Sequence, residues 1–382
     1  MNSSHTIRKA VYSASLDPVT NGHMHIIELA ASLFDELVII VGINPQKKYA
    51  FTLKERMDMV RDSTARIKNV TVTSCTGRYI VKCAEELGAQ VIVRGLRNST
   101  DLEYESTLAE SNRRICPDVV TIMFTCPSHL AHISSSMVKG HVGADPDWET
   151  HVAYSVPTPV THKLKENYIL EKARSHWNTI MRDLDSPSKS ESVFQNMVVT
   201  YREQQRVYHT LEHIVSVLDE LDDVRDELAN PAATKMAAFG HDRVYCTNER
   251  NGEQIASDEE ESANATEDDL LKLGLPQQFI VDVKRMILST NHTSAILDPD
   301  TQHLLDADLA IFGKSPEMFD RFEKGIRSEF AWVQEKEYRR VRTSVLRAFL
   351  ERETIYHTRY FQKKYENMAR DNLERLMKTL KE

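Results

Sequence analysis

The hydrophobic pattern of this 382-residue chain changes near residue 170. Before that point, short runs of β-branched and other apolar residues alternate with amphipathic helical patterns. Such alternation is typical of a parallel sheet covered by helices on both faces, in which ligands bind at the carboxyl ends of the strands. After that point only long helical patterns remain. We therefore expect a Rossmann-like, doubly wound α/β domain over residues 1–170 and an all-α domain over residues 171–382.

Individual strands and helices of the first domain can be placed from local patterns. Gly22–Phe34 predicts the first helix, because its apolar residues fall on one face. Thr52 and Glu55 form a capping-box pattern that opens another helix. The turn-rich stretch 142–159 predicts the exit from this domain, followed by a helix over residues 160–168. The apolar runs that predict strands are Ala10–Tyr12, Leu37–Ile43, Val70–Val72, Val91–Val93 and Val119–Phe124.

The composition of the chain indicates which classes of molecule it can bind. The formal net charge of −9 argues against a broad surface for nucleic acid. No apolar run approaches the roughly 18 residues of a membrane span, and Met1–Lys9 lacks the pattern of a secretion signal. The five cysteines form no CxxC pair, so we expect reduced thiols in a cytoplasmic protein. The expected partners are small molecules, without nucleic acid or membrane.

The segment Ser13–His23 carries the first indication of chemistry. It follows the first predicted strand and opens the first long helix, whose free backbone N–H groups and positive dipole end favour a phosphate. Gly22 lets the backbone approach a ligand closely. His23, in the first turn, can donate a hydrogen bond to a phosphate oxygen whose charge grows during reaction. An isolated xxGH pattern would more often be an ordinary turn, so the surrounding sequence carries the assignment.

That surrounding sequence resembles a known family. Thr20-Asn21-Gly22-His23 matches the T/HxGH signature of the nucleotidyltransferase superfamily. Further segments resemble phosphopantetheine adenylyltransferases in the same order, and the similarity covers roughly residues 7–168. These segments are Gly42–Lys48 after the second strand, Val93–Arg97 and Asp101–Glu105 after the fourth strand, and Ile133–Lys139 at a helix start.

The resemblance implies a reaction and a set of residues. AMP would pass from ATP, bound with Mg²⁺, to 4′-phosphopantetheine, giving dephospho-coenzyme A and pyrophosphate in coenzyme A biosynthesis. Positioning and charge neutralisation would carry most of the catalysis. Because such transferases are hexamers, a homo-oligomer is expected. The implied catalytic residues are Ser15, His23, Lys47 and Arg94, and the implied ATP-site residues are Asp17, Gly22, Arg97, Glu105, Ser134, Ser135 and Ser136.

Three departures from the family leave the acceptor open. Ala14 stands where the family has a glycine, His25 where an acidic residue is common, and Leu130–His132 where an aromatic residue is usual. The glycine change is expected to stiffen the backbone over the phosphates. The alternative is an adenylyltransferase for another phosphorylated acceptor, such as a nicotinate nucleotide or a polyol phosphate.

The second half of the chain carries histidines and aspartates within helical patterns. They are His209 and His213, the pair His241-Asp242, and the distant Asp308. Taken singly, each would be an ordinary helix-surface or core residue. Together, a histidine, a His-Asp pair and a distant aspartate can converge on one divalent cation. A cation held this way activates a bound water and polarises a phosphoryl oxygen, which suits phosphoester hydrolysis.

This half resembles HD-superfamily phosphohydrolases over about residues 171–380. The resemblance implies an all-α HD-domain fold whose divalent metal (Mn, Fe, Co, Ni or Mg) is held by His213, His241, Asp242 and Asp308. His209 would ligate the metal or orient the substrate, a phosphorylated metabolite or nucleotide. Glu259 and His292 are weaker candidates. The alternative is a regulatory nucleotide sensor. The resembling segments are Tyr208–Ile214, Phe239–Asp242, Asp258–Ala263, Asp306–Ile311, Ile326–Phe330, Ile355–Tyr356 and Ala369–Leu373.

Two features of the second half depart from the HD pattern. Gly240 stands where a bulky apolar residue usually precedes the His-Asp pair, and residues 246–257 form a polar loop that looks inserted. Both are expected to alter access of the substrate.

Overall fold

The computed structural model describes residues 8–185, 190–246, 257–291 and 298–381. The chain divides into two compact units, Met1–Tyr168 and Ile169–Glu382. His292 and most of the polar loop predicted over residues 246–257 lie outside the described residues. Among the described residues, no helix is both long and apolar enough to cross a membrane.

The first unit contains one sheet of five parallel strands in the order β3-β2-β1-β4-β5. Each predicted apolar run coincides with a strand, although Ile43 and Val119 lie one residue outside theirs, so the predicted parallel sheet is confirmed. The strand order reverses between β1 and β4, and open α/β sheets bind ligands at such a reversal. The strands are β1 (Lys9–Ala14), β2 (Glu36–Gly42), β3 (Val70–Cys75), β4 (Val91–Leu96) and β5 (Val120–Thr125).

Helices cover both faces of this sheet, which explains the unbroken apolar run of β2. Ile39 and Val41 pack into one core cluster, while Val38 and Ile40 pack into the cluster on the opposite face. The helices of this unit are α1 (Asn21–Leu33), α2 (Leu53–Thr64), α3 (Ile80–Glu86), α4 (Ser99–Ile115), α5 (Ser128–Ala131), α6 (Ser135–His141), α7 (Trp148–Ala153) and the first part of α8 (Thr158–Asp183).

Two local expectations need correction. The turn-rich stretch 142–159 contains the short helix α7, and the helix expected over residues 160–168 continues as α8 to Asp183. After Pro159 no proline or glycine interrupts this helix, so nothing in its backbone chemistry ends it at the predicted boundary.

The cysteines also differ from expectation. Reduced thiols were expected, but Cys75 at the end of β3 and Cys83 in α3 form a disulfide across eight residues. Both side chains are buried in the same core cluster, which brings the two sulfur atoms together.

The second unit is helical, as predicted. Trp177 is buried in its core, and the Trp177 ring lies 5.7 Å from that of Phe194 and 5.6 Å from that of Phe239. Besides the end of α8, its α-helices are α9 (Ser190–Thr200), α10 (Leu211–Asp223), α11 (Pro231–Gly240), α12 (Asp258–Leu273), α13 (Gln277–Leu288), α14 (Pro299–Asp308), α15 (Pro316–Glu329), α16 (Glu335–Leu350) and α17 (Arg359–Lys381).

Candidate functional site

A cavity of about 740 Å³ lies at the carboxyl ends of the strands of the first unit. It gathers residues that follow β1, β2 and β4, and residues at the start of α6, from widely separated parts of the chain. The predicted ATP-site and catalytic residues all line it: Ser15, Asp17, Gly22, His23, Lys47, Arg94, Arg97, Glu105, Ser134, Ser135 and Ser136. The structure therefore brings the whole predicted set together.

His23 is oriented by the helix that carries it. Thr20 caps α1 and forms a capping box with His23, in which Nδ1 of His23 accepts the backbone N–H of Thr20 at 3.0 Å. This hydrogen bond assigns the ring proton to Nε2, the remaining donor of a neutral imidazole. Burial, with the positive charges of Arg97 and Arg94, lowers the pKa of His23 to about 4. At neutral pH His23 is thus an uncharged hydrogen-bond donor.

Arg94 in β4 and Arg97 in the following turn each pair with a carboxylate from α4. Glu105 receives Nε and Nη2 of Arg94 at 2.6 and 2.5 Å, and Arg94 also donates to the backbone carbonyl of Ser13. Arg97 donates from Nε to Asp101 at 2.9 Å. Bidentate pairing fixes the plane of a guanidinium, so both cations are oriented before a ligand binds.

Asp17 lines the cavity, but its carboxylate is already engaged. Oδ1 accepts the backbone N–H of Phe51 at 3.0 Å, while Oδ2 accepts that of Ala50 at 3.1 Å and Nζ of Lys139 at 2.7 Å. Asp17 therefore links the loop after β1 to two distant segments. Direct contact of Asp17 with ATP stays a prediction. The sequence also left Lys139 without a role, although it lies in a motif that resembles the family.

The serines at the start of α6 perform different tasks. Ser134 caps the helix by accepting the backbone N–H of Met137 at 3.1 Å, and Ser135 donates to the carbonyl of Pro18 at 2.8 Å. Ser136 lines the cavity beside them. The Ser135 hydroxyl thus holds the helix start against the loop after β1, while Ser134 caps the helix itself.

The lysines of the loop after β2 add positive charge to the cavity. Lys47 and Lys48 both line it, and no carboxylate among the described residues forms an ion pair with either. They follow Gly42, where β2 ends. This part of the wall suits a multiply charged anion.

The backbone at Ala14 is regular, and the expected stiffening stays a prediction. Ala14 belongs to β1 and pairs with Val41 in regular parallel register. Within this loop it is Leu16 that has a positive φ, of 51°. The structure gives no sign that the position of Ala14 requires the conformational freedom of glycine.

The second unit brings four predicted metal ligands to one point. Nε2 of His213 lies 3.3 Å from Nε2 of His241, and it lies 3.3 and 3.1 Å from carboxylate oxygens of Asp242 and Asp308. His241 contacts the same two oxygens at 3.1 and 3.4 Å. Both histidines are almost fully buried, whereas the side chains of Asp242 and Asp308 are 19% and 17% exposed. The group thus opens to solvent on its aspartate side.

His209 is turned toward a different partner. Its Nδ1 lies 2.7 Å from Oε2 of Glu329, whose other oxygen accepts the backbone N–H groups of residues 207–209. His209 is not in the group formed by His213, His241 and Asp308 that could hold an ion. Its role as ligand or substrate contact stays a prediction, and Glu329 is a neighbour that the sequence did not single out.

Arg206 and Gly240 explain how the His-Asp pair is placed. The buried Arg206 donates to the carbonyls of His209 and Asp242 at 3.1 and 2.7 Å, joining the two segments. A Cβ added to Gly240 would lie 2.5 Å from Oγ1 of Thr266, so α11 approaches α12 too closely for a side chain there. The departure at Gly240 is therefore a packing feature. No local pattern indicated the contacts of Arg206.

Comparison with known proteins agrees with the geometry of the first unit. A family model described as cytidylyltransferase-like matches residues 11–141. The phosphopantetheine adenylyltransferase of Chromobacterium violaceum is 39% identical over 162 residues, covering 42% of this chain and 98% of the relative. That of Shouchella clausii is 42% identical over 162 residues, covering 42% and 99%. That of Neisseria meningitidis serogroup C is 40% identical over 159 residues, covering 42% and 93%.

These alignments confirm the predicted nucleotidyltransferase in the first half of the chain. The resemblance of the second half to HD phosphohydrolases stays a prediction. Through its first unit, the chain belongs to the phosphopantetheine adenylyltransferase family.

Proposed function

We propose that the first unit joins AMP from ATP to 4′-phosphopantetheine, forming dephospho-coenzyme A and pyrophosphate. The observation that carries the proposal is the single cavity lined by Ser15, His23, Lys47 and Arg94. Relatives named phosphopantetheine adenylyltransferase align over nearly their whole length with this chain. That similarity favours this acceptor over a nicotinate nucleotide or a polyol phosphate.

The residues of the cavity supply positioning and charge neutralisation. An acceptor phosphate is already ionised near neutral pH, so its attack on the α-phosphorus of ATP needs no strong base. The Nε2–H of His23 would donate to a phosphate oxygen as charge develops there. Lys47 and Arg94 would offset the charge of the two substrates, and the hydrogen bonds that orient Arg94 limit its reorganisation during reaction.

The cavity fits ATP that arrives with its own Mg²⁺. Among the described residues, the carboxylates that line it are Asp17, Asp101 and Glu105, and each is paired with a lysine or arginine. Mg²⁺ would therefore be held chiefly by phosphate oxygens of ATP and by water, as is common for this ion. Bound there, it would neutralise part of the triphosphate charge.

Release of pyrophosphate from ATP tests the first activity. We expect release that requires 4′-phosphopantetheine and that falls about 100-fold in His23→Ala, the usual scale for losing one donor to developing charge. His25→Ala, which changes another histidine of α1, is the matched control and should retain activity. Wild-type protein that binds ATP but releases no pyrophosphate with this acceptor would contradict the proposal. Nicotinate mononucleotide and glycerol 3-phosphate would then be screened.

For the second unit we propose a metal-dependent phosphohydrolase of the HD type. Ligand atoms about 2.1 Å from one cation lie about 3.0 to 3.4 Å from each other in octahedral or tetrahedral geometry. His213 and His241 lie 3.3 Å apart, and each lies 3.1 to 3.4 Å from carboxylate oxygens of Asp242 and Asp308. The ligand atoms of His213, His241 and Asp308 all lie within 4.8 Å of one another, which fits a single cation with Asp242 beside it. Nδ1 of His241 lies 2.9 Å from the carbonyl of Ala238, to which it donates, leaving Nε2 free to ligate.

A cation bound by these four residues would activate water and polarise a phosphoryl oxygen. The partly exposed Asp242 and Asp308 lie on the side from which a phosphorylated metabolite or nucleotide would approach. His209, held by Glu329 beside the group, would orient that phosphate.

Metal content tests this second proposal and its alternative. Protein purified without chelators should contain about one equivalent of a transition metal or Mg²⁺ by mass spectrometry, and it should hydrolyse phosphomonoesters or nucleotides. His241→Ala and Asp308→Asn should lose the metal, while Asp320→Asn, a surface change in the same unit, should keep it. A nucleotide that binds metal-free protein without being hydrolysed would instead favour a regulatory sensor.

A further inference from the structure

Arg56 is a buried charge that the mechanism above does not use. It lies in α2, and only 1% of the residue is exposed. No carboxylate among the described residues forms an ion pair with its guanidinium, and its Nε has no hydrogen-bond partner there. A buried cation without an anion is costly, so it calls for an explanation beyond packing.

The guanidinium connects the two loops that carry predicted catalytic residues. Nη1 of Arg56 donates to the carbonyl of Ser15 at 2.6 Å and to the carbonyl of Gly42 at 3.0 Å. Ser15 lies in the loop after β1. Gly42 ends β2 and begins the segment that leads to Lys47. One buried side chain, behind the cavity wall, therefore contacts both loops.

A second contact extends this support into the lysine loop. The guanidinium carbon of Arg56 lies 4.0 Å from the centre of the Tyr49 ring, and the hydroxyl of Tyr49 accepts the backbone N–H of Asn44 at 2.6 Å. Asn44 in turn accepts the backbone N–H of Gln46 through its side chain at 2.9 Å. The carbonyl of Asn44 also accepts the backbone N–H of Lys47 at 3.0 Å, so the chain of contacts from Arg56 reaches Lys47.

We propose that Arg56 is a positioning residue for adenylyl transfer that holds the Ser15 and Lys47 loops in register and supplies uncompensated positive charge behind the phosphate-binding cavity. The inference rests on the proposed function of the first unit. Bound phosphates would complete the charge balance that the protein leaves open, because the carboxylates lining the cavity are paired with other cations. Arg56 itself does not line the cavity and acts through its neighbours.

Binding of Mg²⁺-pyrophosphate to the full chain, measured by calorimetry, tests this role without requiring turnover. Arg56→Lys keeps the positive charge but loses the planar guanidinium group. We expect the dissociation constant of this variant for Mg²⁺-pyrophosphate to rise about fivefold. Arg56→Met loses both, and we expect a rise of at least 30-fold. Arg61→Met, in the same helix but paired with Asp58 at the surface, is the matched control and should bind as the wild type does. Turnover with 4′-phosphopantetheine should fall about tenfold in Arg56→Lys.

A merely structural arginine would lower the folded fraction and leave binding per folded molecule unchanged. Circular dichroism and thermal melting therefore accompany each measurement. If Arg56→Lys folds and binds pyrophosphate as tightly as the wild type does, the proposal is overturned. It is also overturned if Arg56→Lys does not fold. Either result holds whatever Arg56→Met does. Wild-type protein that binds pyrophosphate without transferring AMP to 4′-phosphopantetheine would count against the proposed reaction alone.

Discussion

His23 illustrates how a single hydrogen bond decides the chemistry that a motif residue can perform. A histidine near its ordinary pKa would change charge within the physiological range and could serve as acid or base. Here the backbone of Thr20 occupies Nδ1, and burial beside two arginines disfavours the charged ring. His23 is therefore suited to donate a hydrogen bond through Nε2 rather than to transfer a proton.

This protonation state predicts a flat pH response. Because the pKa of His23 is lowered to about 4, the ring stays neutral from pH 6 to pH 9. The ratio of kcat/KM for wild type to that for His23→Gln, which reports ionisations of the free enzyme, should then change less than twofold over this range. Rates of pyrophosphate release at fixed ionic strength give the ratio. A tenfold change per pH unit between 6 and 8 would show instead that His23 titrates during catalysis.

Among the helices of the second unit, α8 and α10 meet through a histidine that faces two carboxylates. Nε2 of His176 lies 3.1 Å from Asp219, and its Nδ1 lies 3.3 Å from Asp222. Burial opposes a charge on His176, but the hydrogen bonds to the two aspartates outweigh that effect and raise its pKa. The stabilisation is therefore fully present below the unfolded-state value of 6.5 and is lost as the pH rises through the folded-state pKa.

The cluster predicts a pH-dependent cost for removing His176. His176→Gln should lower the free energy of unfolding by about 1 kcal/mol more at pH 5.5 than at pH 8.5, since solvent screens the half-exposed aspartates. Urea unfolding followed by tryptophan fluorescence measures both values. His162→Gln, which changes an exposed histidine of the same helix, should show no such difference. If His176→Gln lowers the free energy of unfolding equally at both pH values, the raised pKa of His176 is contradicted.

The approach of α11 to α12 predicts a cost for filling Gly240. The added methyl group of Gly240→Ala would lie 2.5 Å from Oγ1 of Thr266 and 2.9 Å from Cδ1 of Ile287. Overpacking of this kind costs about 1–3 kcal/mol, and the shift should also reduce metal content because His241 follows directly. Thermal unfolding tests the first effect. Gly140→Ala, in α6 with nothing within 4 Å of the new methyl group, serves as the control. Unchanged stability in Gly240→Ala would rule out tight packing.

At the scale of the whole molecule, the expected homo-oligomer stays a prediction, and exposed apolar residues of the first unit indicate where to test it. Within α4 only Glu105 is buried, and Leu102 is 46% exposed. Strand β5 is an edge of the sheet, and its Val120 is 57% exposed. An exposed leucine and an open strand edge are each candidate sites of association between chains.

Sedimentation tests this expectation. The wild type should sediment as an assembly larger than one chain, whereas Leu102→Glu combined with Val120→Glu should shift it toward a single chain, because burying two unpaired carboxylates is unfavourable. Met318→Glu, which adds a charge at an exposed apolar position of the second unit, should leave the assembly intact. A wild-type protein that sediments as one chain at micromolar concentration would contradict the prediction.

Local sequence patterns were sufficient to predict the types of secondary structure in this protein and their order. Strand and helix periods are set by residues close in sequence, and the parallel sheet, the helical second half and the capping box at Thr52 follow from them. Family motifs were sufficient to identify eleven of the residues that line the cavity, because the motifs lie close after a strand or at a helix start. The continuation of α8 shows the limit, since a composition change does not end a helix that lacks a stop signal.

The tertiary structure alone decided which of these side chains are already engaged. Arg56 and Ser15 are 41 residues apart, His209 and Glu329 are 120 apart, and Asp17 and Lys139 are 122 apart. No local period or motif specifies such pairs, because they form only when distant elements pack. Amino-acid sequence by itself therefore determined the classes of element and the candidate residues, while packing determined the charge, orientation and remaining hydrogen-bonding capacity of each.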